Sequence, residues 1–202
     1  MRFSKKFIAL PIFAVAAGAA GFLYARSQTP QRPDRQTLLK KAVDLHPAKR
    51  APNFALPDLD GKLHALSQWR GKLRLLNFWA TWCGPCREEV PALVALQKHF
   101  GPEGFQVIGI ATDEPGAKVV KKFAGKFKIN YPLLMDNGHA GNIAQHLGFN
   151  LIGLPASILI DGNGDIVSYH LGPIDPAATQ KQIQKLLNGR KNAINAADRA
   201  RT

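Results

Sequence analysis

The chain has 202 residues, 46% hydrophobic and 20% charged, and a formal charge of +13. That length and composition allow one ordinary domain with extensions and exclude a disordered chain. The charge is unevenly spread, with +8 over residues 1–50, +2 over residues 51–188 and +3 over residues 189–202; a near-neutral middle counts against a nucleic-acid-binding domain, which carries its positive charge on the folded surface.

In chain order, Arg2, Lys5 and Lys6 precede an uncharged apolar run over residues 7–25. At 1.5 Å per residue this run is about 28 Å long, close to the thickness of a bilayer's hydrocarbon core. Residues 1–26 read as a transmembrane anchor with its start in the cytoplasm, because the positive residues cluster there. A cleaved signal peptide is the alternative, since Ala14-Val15-Ala16 and Ala17-Gly18-Ala19 fit small-x-small cleavage. Either reading places the remainder outside the cytoplasm. Residues 27–50, polar and basic with Pro30, Pro33 and Pro47, read as a linker that holds a short helix over 36–45.

Residues 51–188 carry the pattern of a compact α/β domain. Short strands are predicted over 53–56 and 63–66, turned by Asp60-Gly61. Residues 73–80 and 105–111 are buried strands by their unbroken apolar character. Between them, 85–100 has helical spacing, with Val90, Leu93, Val94 and Leu96 on one side. A second helix is predicted over 116–127, with Val119, Val120 and Phe123 inward. A short extended piece at 132–135 and a helix over 139–147 come next. Strands over 156–160 and 166–171 flank the turn DGNGD, a hairpin signal. A closing helix over 176–188 is expected to stop at Gly189, leaving 189–202 as a frayed basic tail. Alternating early units call for a parallel sheet core, and the late hairpin adds an antiparallel edge.

Cys83 and Cys86 are the only cysteines, and they fall where a strand gives way to a helix. A thiol at a helix N-terminus meets unpaired backbone N–H groups and the positive end of the dipole, which favour its thiolate. Cys86 lies one turn further on, close enough to close a disulfide. Gly84 permits close backbone approach, and Pro85 suits the first helical turn. Other uses of such a pair fare worse. A structural disulfide over so short a loop constrains the unfolded chain little. Zinc needs two more ligands, and the six histidines show no paired spacing. A c-type haem needs His after the second cysteine, where Arg87 stands.

The segment FWATWCGPC, Phe78 to Cys86, closely resembles the active site of the thioredoxin superfamily. APNFALPDLDGK from Ala51, YPLLMDNGHAGNIAQHLG from Tyr131 and GLPASILIDGNGDIV from Gly153 resemble its membrane-anchored TlpA/ResA-like branch. The resemblance implies a thioredoxin-like fold: a mixed central sheet flanked by helices, an N-terminal hairpin extension and a central insertion, preceded by one transmembrane helix. It also implies a protein-disulfide reductase with no cofactor or metal, whose attacking thiol is Cys83 and whose resolving thiol is Cys86. Pro155 matches the proline that is cis in the fold. A cis turn there exposes the backbone of Leu154 to an extended substrate segment, and Trp82, Gly84 and Pro85 would flank that segment. Thioredoxins place a buried Asp where this chain has Asn77, which cannot titrate. Glu89, three residues beyond Cys86, matches a Glu of the anchored branch and is the expected proton carrier. Glu88 is expected to be an exposed first-turn acid, and Pro91 to kink the helix.

The implied partners are disulfide-bearing proteins, apocytochrome c among them, and a membrane electron donor. Two alternative readings compete with this one. A peroxiredoxin-like peroxidase needs Thr three residues before its cysteine, where Ala80 stands. A copper carrier would recruit His139, His146 or His170 as a third ligand to Cu(I).

Overall fold

The computed structural model describes residues 50–114, 116–199 and 201. The anchor or signal peptide over 1–26 and the linker helix over 36–45 lie outside the described residues. Among the described residues no helix is long and apolar enough to cross a membrane.

Among the described residues, seven strands and four α-helices follow in order: β1 (Ala55–Pro57), β2 (Leu63–Ala65), β3 (Leu73–Trp79), α1 (Gly84–Phe100), β4 (Phe105–Ala111), α2 (Ala117–Phe127), β5 (Leu133–Met135), α3 (Ala140–His146), β6 (Ala156–Ile160), β7 (Ile166–Leu171) and α4 (Pro176–Arg199). Five of the strands form one sheet in the order β5-β4-β3-β6-β7. β3, β4 and β5 are parallel, β6 runs antiparallel to β3, and β7 closes the hairpin. The fold is thioredoxin-like with a mixed central sheet. β1 and β2 form a separate antiparallel hairpin, joined to the sheet's edge by a single bridge between Asp58 and Leu134.

β3 shows why the sheet sits where it does. All seven of its residues are buried, as a strand covered on both faces requires. Side chains alternate between faces. Leu73, Leu75 and Trp79 enter one core with Leu93, Phe100 and Phe105. Leu76 and Phe78 enter the other with Ile108, Ile110 and Phe149. Asn77 therefore points the same way as Leu75 and Trp79, towards α1, and Arg74 the same way as Leu76 and Phe78. Burying one such leucine completely contributes about 1.5–3 kcal/mol.

Several expectations are corrected. β1 spans Ala55–Pro57 rather than 53–56; Asn53, before it, accepts the Ser67 N–H with its side-chain oxygen at 2.9 Å. β2 ends at Ala65, where a 3-10 turn over Leu66–Trp69 begins. Val119 is 40% exposed while Val120 is fully buried: the face of α2 that meets the core runs through Ala117, Val120, Phe123 and Ala124. α4 passes through Gly189 to Arg199, so this stretch is no frayed tail up to that residue. A glycine inside a helix costs about 0.5–1 kcal/mol relative to alanine. Good helix formers beyond it, Arg190, Lys191, Ala193 and Ala196, offset that cost, and Lys191 Nζ pairs with Glu103 Oε2 at 2.8 Å. α1 is continuous across Pro91, which lacks the N–H that would reach the Arg87 carbonyl.

Candidate active site

The site forms where β3 ends and α1 begins. Cys83 is the N-cap of α1, with φ −79° and ψ 111°, and it is joined to Cys86 in a disulfide with a Cα–Cα distance of 5.3 Å. The Cys83 sulfur accepts the backbone N–H of Cys86 at 3.3 Å. That N–H is one of the donors a helix start leaves without an internal partner. The two cysteines are unequal: Cys83 is 6% exposed and Cys86 not at all. Gly84 and Pro85 stand in solvent over the bond. Trp82 is 67% exposed, so its indole is a surface feature beside Cys83 and no part of the core.

A carboxylate from the neighbouring strand fixes the approach to Cys83. Asp113, just beyond β4, accepts the Thr81 N–H at 3.1 Å with both oxygens and also the Thr81 hydroxyl. The Cys83 N–H donates to the Ala80 carbonyl at 3.2 Å. The bend Ala80-Thr81-Trp82 is thus held from two sides. Sequence reasoning missed Asp113. Its available signal was position: in open α/β sheets, sites form outside the carboxyl ends of strands.

The Leu154–Pro155 peptide is cis. Ala156 is registered opposite Phe78, so the buried Pro155 falls one step further along, at the end of β3 that carries the cysteines. Leu154 packs against the core cluster that contains Cys83 and Cys86. The Pro155 carbonyl accepts Gly172 N–H at 2.8 Å, whereas the Leu154 backbone has no hydrogen-bond partner among the described residues.

Glu89 is 4% exposed, on the buried face of α1 that also carries Cys86. Its Oε1 accepts Asn77 Nδ2 at 2.7 Å, and its Oε2 accepts the Ile174 N–H at 3.1 Å. Asn77 Nδ2 donates also to Ser157 Oγ at 3.0 Å. Burial pushes the Glu89 carboxyl above the usual carboxylate range, and the two hydrogen bonds and the His170 charge pull back against it. Burial and the Glu89 charge together push the Tyr131 hydroxyl up. Glu88, one residue earlier, is exposed. Asn77 thus serves the site without titrating: its amide supplies the donor for Glu89 Oε1, a buried oxygen whose loss of a partner would cost about 1–3 kcal/mol.

The candidate copper-ligand histidines are dispersed. His139 precedes α3, His146 bonds the Asn142 carbonyl at 2.7 Å, and His170 bonds the Pro173 carbonyl at 2.8 Å. No group of three His, Cys, Asp or Glu side chains suited to a metal ion occurs among the described residues. The Thr81 hydroxyl donates to the Asp113 carboxylate.

A disulfide at a helix N-terminus, beside a cis-proline loop on this mixed sheet, defines a thioredoxin-like thiol-disulfide protein. The Redoxin family model matches residues 46–187, and the chain belongs to that family, as a TlpA/ResA-like member of the thioredoxin superfamily. It is 33% identical over 177 residues to the thiol-disulfide oxidoreductase ResA of Bacillus cereus, covering 87% of this chain and 91% of that one. It is 32% identical over 154 residues to the thioredoxin-like protein YneN of Bacillus subtilis, covering 76% and 85%. A solved thiol:disulfide interchange protein of the thioredoxin family from Chlorobium tepidum superposes with a TM-score of 0.63 at 32% identity, covering 71% of this chain and 99% of that one. The chain is a thiol-disulfide oxidoreductase, and its substrates are disulfide-bearing proteins.

Proposed function

We propose that this enzyme reduces protein disulfides outside the cytoplasm, with Cys83 attacking and Cys86 resolving. In the dithiol form, the Cys83 thiolate attacks one sulfur of a substrate disulfide. A mixed disulfide forms, and the departing substrate thiolate takes a proton. Cys86 then loses its proton to Glu89 and attacks the Cys83 sulfur. The second substrate thiolate leaves and is protonated in turn, and the enzyme keeps the Cys83–Cys86 disulfide. Two electrons pass to the substrate, and a membrane dithiol donor restores them. Glu89 suits the proton step because burial brings its affinity for protons closer to neutral pH.

The observation that carries this reading is the inequality of the two cysteines: Cys83, the helix N-cap, keeps 6% of its surface exposed while Cys86, one turn further into α1, has none. The free backbone of Leu154 supports docking of substrate as an added strand, with Trp82, Gly84 and Pro85 as its other walls. The apolar run over 7–25 behind Arg2, Lys5 and Lys6 supports a membrane-anchored enzyme facing the periplasm or an equivalent space; a signal peptide cleaved from a periplasmic enzyme is the second outcome. Apocytochrome c, whose paired thiols must be reduced before haem attachment, is a candidate substrate.

Reduction of insulin by the full-length chain tests the chemistry. Cys83→Ser is expected to abolish it, and Cys86→Ser to stall as a mixed disulfide that captures the natural substrate. Undiminished reduction by Cys83→Ser would reject the assignment.

A further inference from the structure

At the other end of β3 from the cysteines, the structure holds a cluster of positive charge that the redox chemistry does not use. Arg74, the second residue of β3, is 3% exposed. Its Nη2 donates to the Asp161 carbonyl at 2.9 Å, and its Nη1 makes a long contact of 3.5 Å to the Leu66 carbonyl. Its Nε is buried without any partner. Buried polar atoms of folded proteins are nearly always satisfied, and a buried guanidinium without a carboxylate is the costly case.

Two further arginines share the place. Arg50 Nη2 donates to the Asn163 carbonyl at 2.7 Å, and Arg70 is exposed at the rim. Arg50 and Arg74 converge on one point. A Cβ on Gly164 would lie 3.4 Å from Arg50 Nε and 3.9 Å from Arg74 Nη2. Gly164 has a φ of +104°, so glycine is favoured there on backbone grounds too, and its bare α-carbon lets the two like charges approach. Among the described residues none of the three arginines has a carboxylate ion-pair partner. Asp165 stands across a backbone bridge from Arg50, and Asp161, whose charge acts on Arg74, has an oxygen committed to the backbone N–H groups of Asn163, Gly164 and Asp165, each at 2.9 Å. Burial lowers the pKa of Arg74, the Asp161 charge opposes this, and the Arg70 charge adds to it.

Arg50, Arg70, Arg74, Asn53, Ser67 and Gly164 line a polar cleft of about 470 Å³, many times the roughly 30 Å³ share of one water. We infer that this cleft is an anion site that takes a phosphate group, with Arg74 as its buried floor and Arg50 and Arg70 as its rim. Planar guanidinium forks suit phosphate oxygens in bidentate fashion, and an anion supplies acceptors to the unused rim donors and a counter-charge to the buried Arg74 beneath them. β3 separates this cleft from the disulfide by a strand length of about 20 Å, so its occupant is no substrate of the thiols. The phosphate group comes either from a free solute or from a phospholipid head.

The test titrates the full-length chain with inorganic phosphate and with water-soluble dihexanoyl phosphatidic acid, each against sodium chloride at equal ionic strength, by calorimetry and by the shift in Tm. Binding of both with similar affinity assigns a free phosphate-bearing solute. Binding of the lipid alone assigns a headgroup. In either case the exposed pair of changes Arg50→Gln and Arg70→Gln should weaken binding by about tenfold or more, as loss of two charge-assisted hydrogen-bonding groups implies, with insulin reduction unchanged. Arg74→Met should remove binding altogether; the rim variant carries the test should that buried change prevent folding. No binding of either probe, or affinities the rim variant leaves intact, would overturn the inference.

Discussion

The two ends of β3 each bury a polar side chain, and they treat it in opposite ways. Near the carboxyl end, Asn77 gives both amide protons to acceptors, Glu89 and Ser157, and Glu89 has a donor at each oxygen. Near the amino end, Arg74 is left with an unpartnered Nε and two arginines beside it. A closed network holds a proton carrier at a tuned affinity without admitting solvent. An open one leaves donors for something that is not part of the chain. The same strand thus separates chemistry, which needs satisfied groups, from recognition, which needs spare ones.

The sharpest way to break the closed end is Glu89→Gln, which keeps the shape and removes the titration. We expect disulfide reduction at neutral pH to fall about a hundredfold, the lower range for loss of a general acid–base group, and the pH–rate profile to lose a limb. Linkage adds a second reading. The folded state holds the Glu89 proton at pH values where the unfolded chain, with the ordinary carboxyl value of 4.5, has released it. Stability from this group is therefore complete below that value and declines as pH rises through the folded pKa. Urea midpoints from pH 4 to 8 should show this decline in the native chain and a flatter line in Glu89→Gln. Parallel lines would place the Glu89 proton outside the account.

Asp113→Ala comes next in size. It leaves the Thr81 N–H and hydroxyl without their acceptor, so about 1–3 kcal/mol of stability should be lost, measured by denaturant unfolding, with a several-fold drop in activity as the bend before Cys83 loosens. The smallest effect is expected for Trp82→Ala. An indole already 67% exposed leaves no cavity behind, so Tm should hardly move while KM for protein substrates rises. A fall in Tm comparable to that of Asp113→Ala would mean that Trp82 is a packing residue.

Much of this was legible in the chain. β4, β6 and β7 lie where unbroken or alternating apolar runs put them, and the cysteines fall at the predicted strand-to-helix junction, because local pattern decides such elements. Glu89 was separable from Glu88 by its spacing from Cys86 along α1. What was hidden depends on distant partners. Asp113 meets Thr81 only because β4 lies beside β3, and Ser157 meets Asn77 only through the register of β6. Gly189 misled because a local stop signal was weighed without the helix formers beyond it. Arg74 looked like one polar residue within a strand; its meaning needs Arg50 and the β6–β7 turn, which meet it only in the folded chain.

The most direct measurement takes the reduced full-length Cys86→Ser chain, in which Cys83 is the sole thiol, and follows its alkylation by iodoacetamide from pH 4 to 10. A helix N-terminus that stabilises the thiolate predicts an apparent pKa well below the roughly 8.5 of free cysteine. A midpoint at or above that value, or a thiol that does not react in the folded protein, would contradict the account.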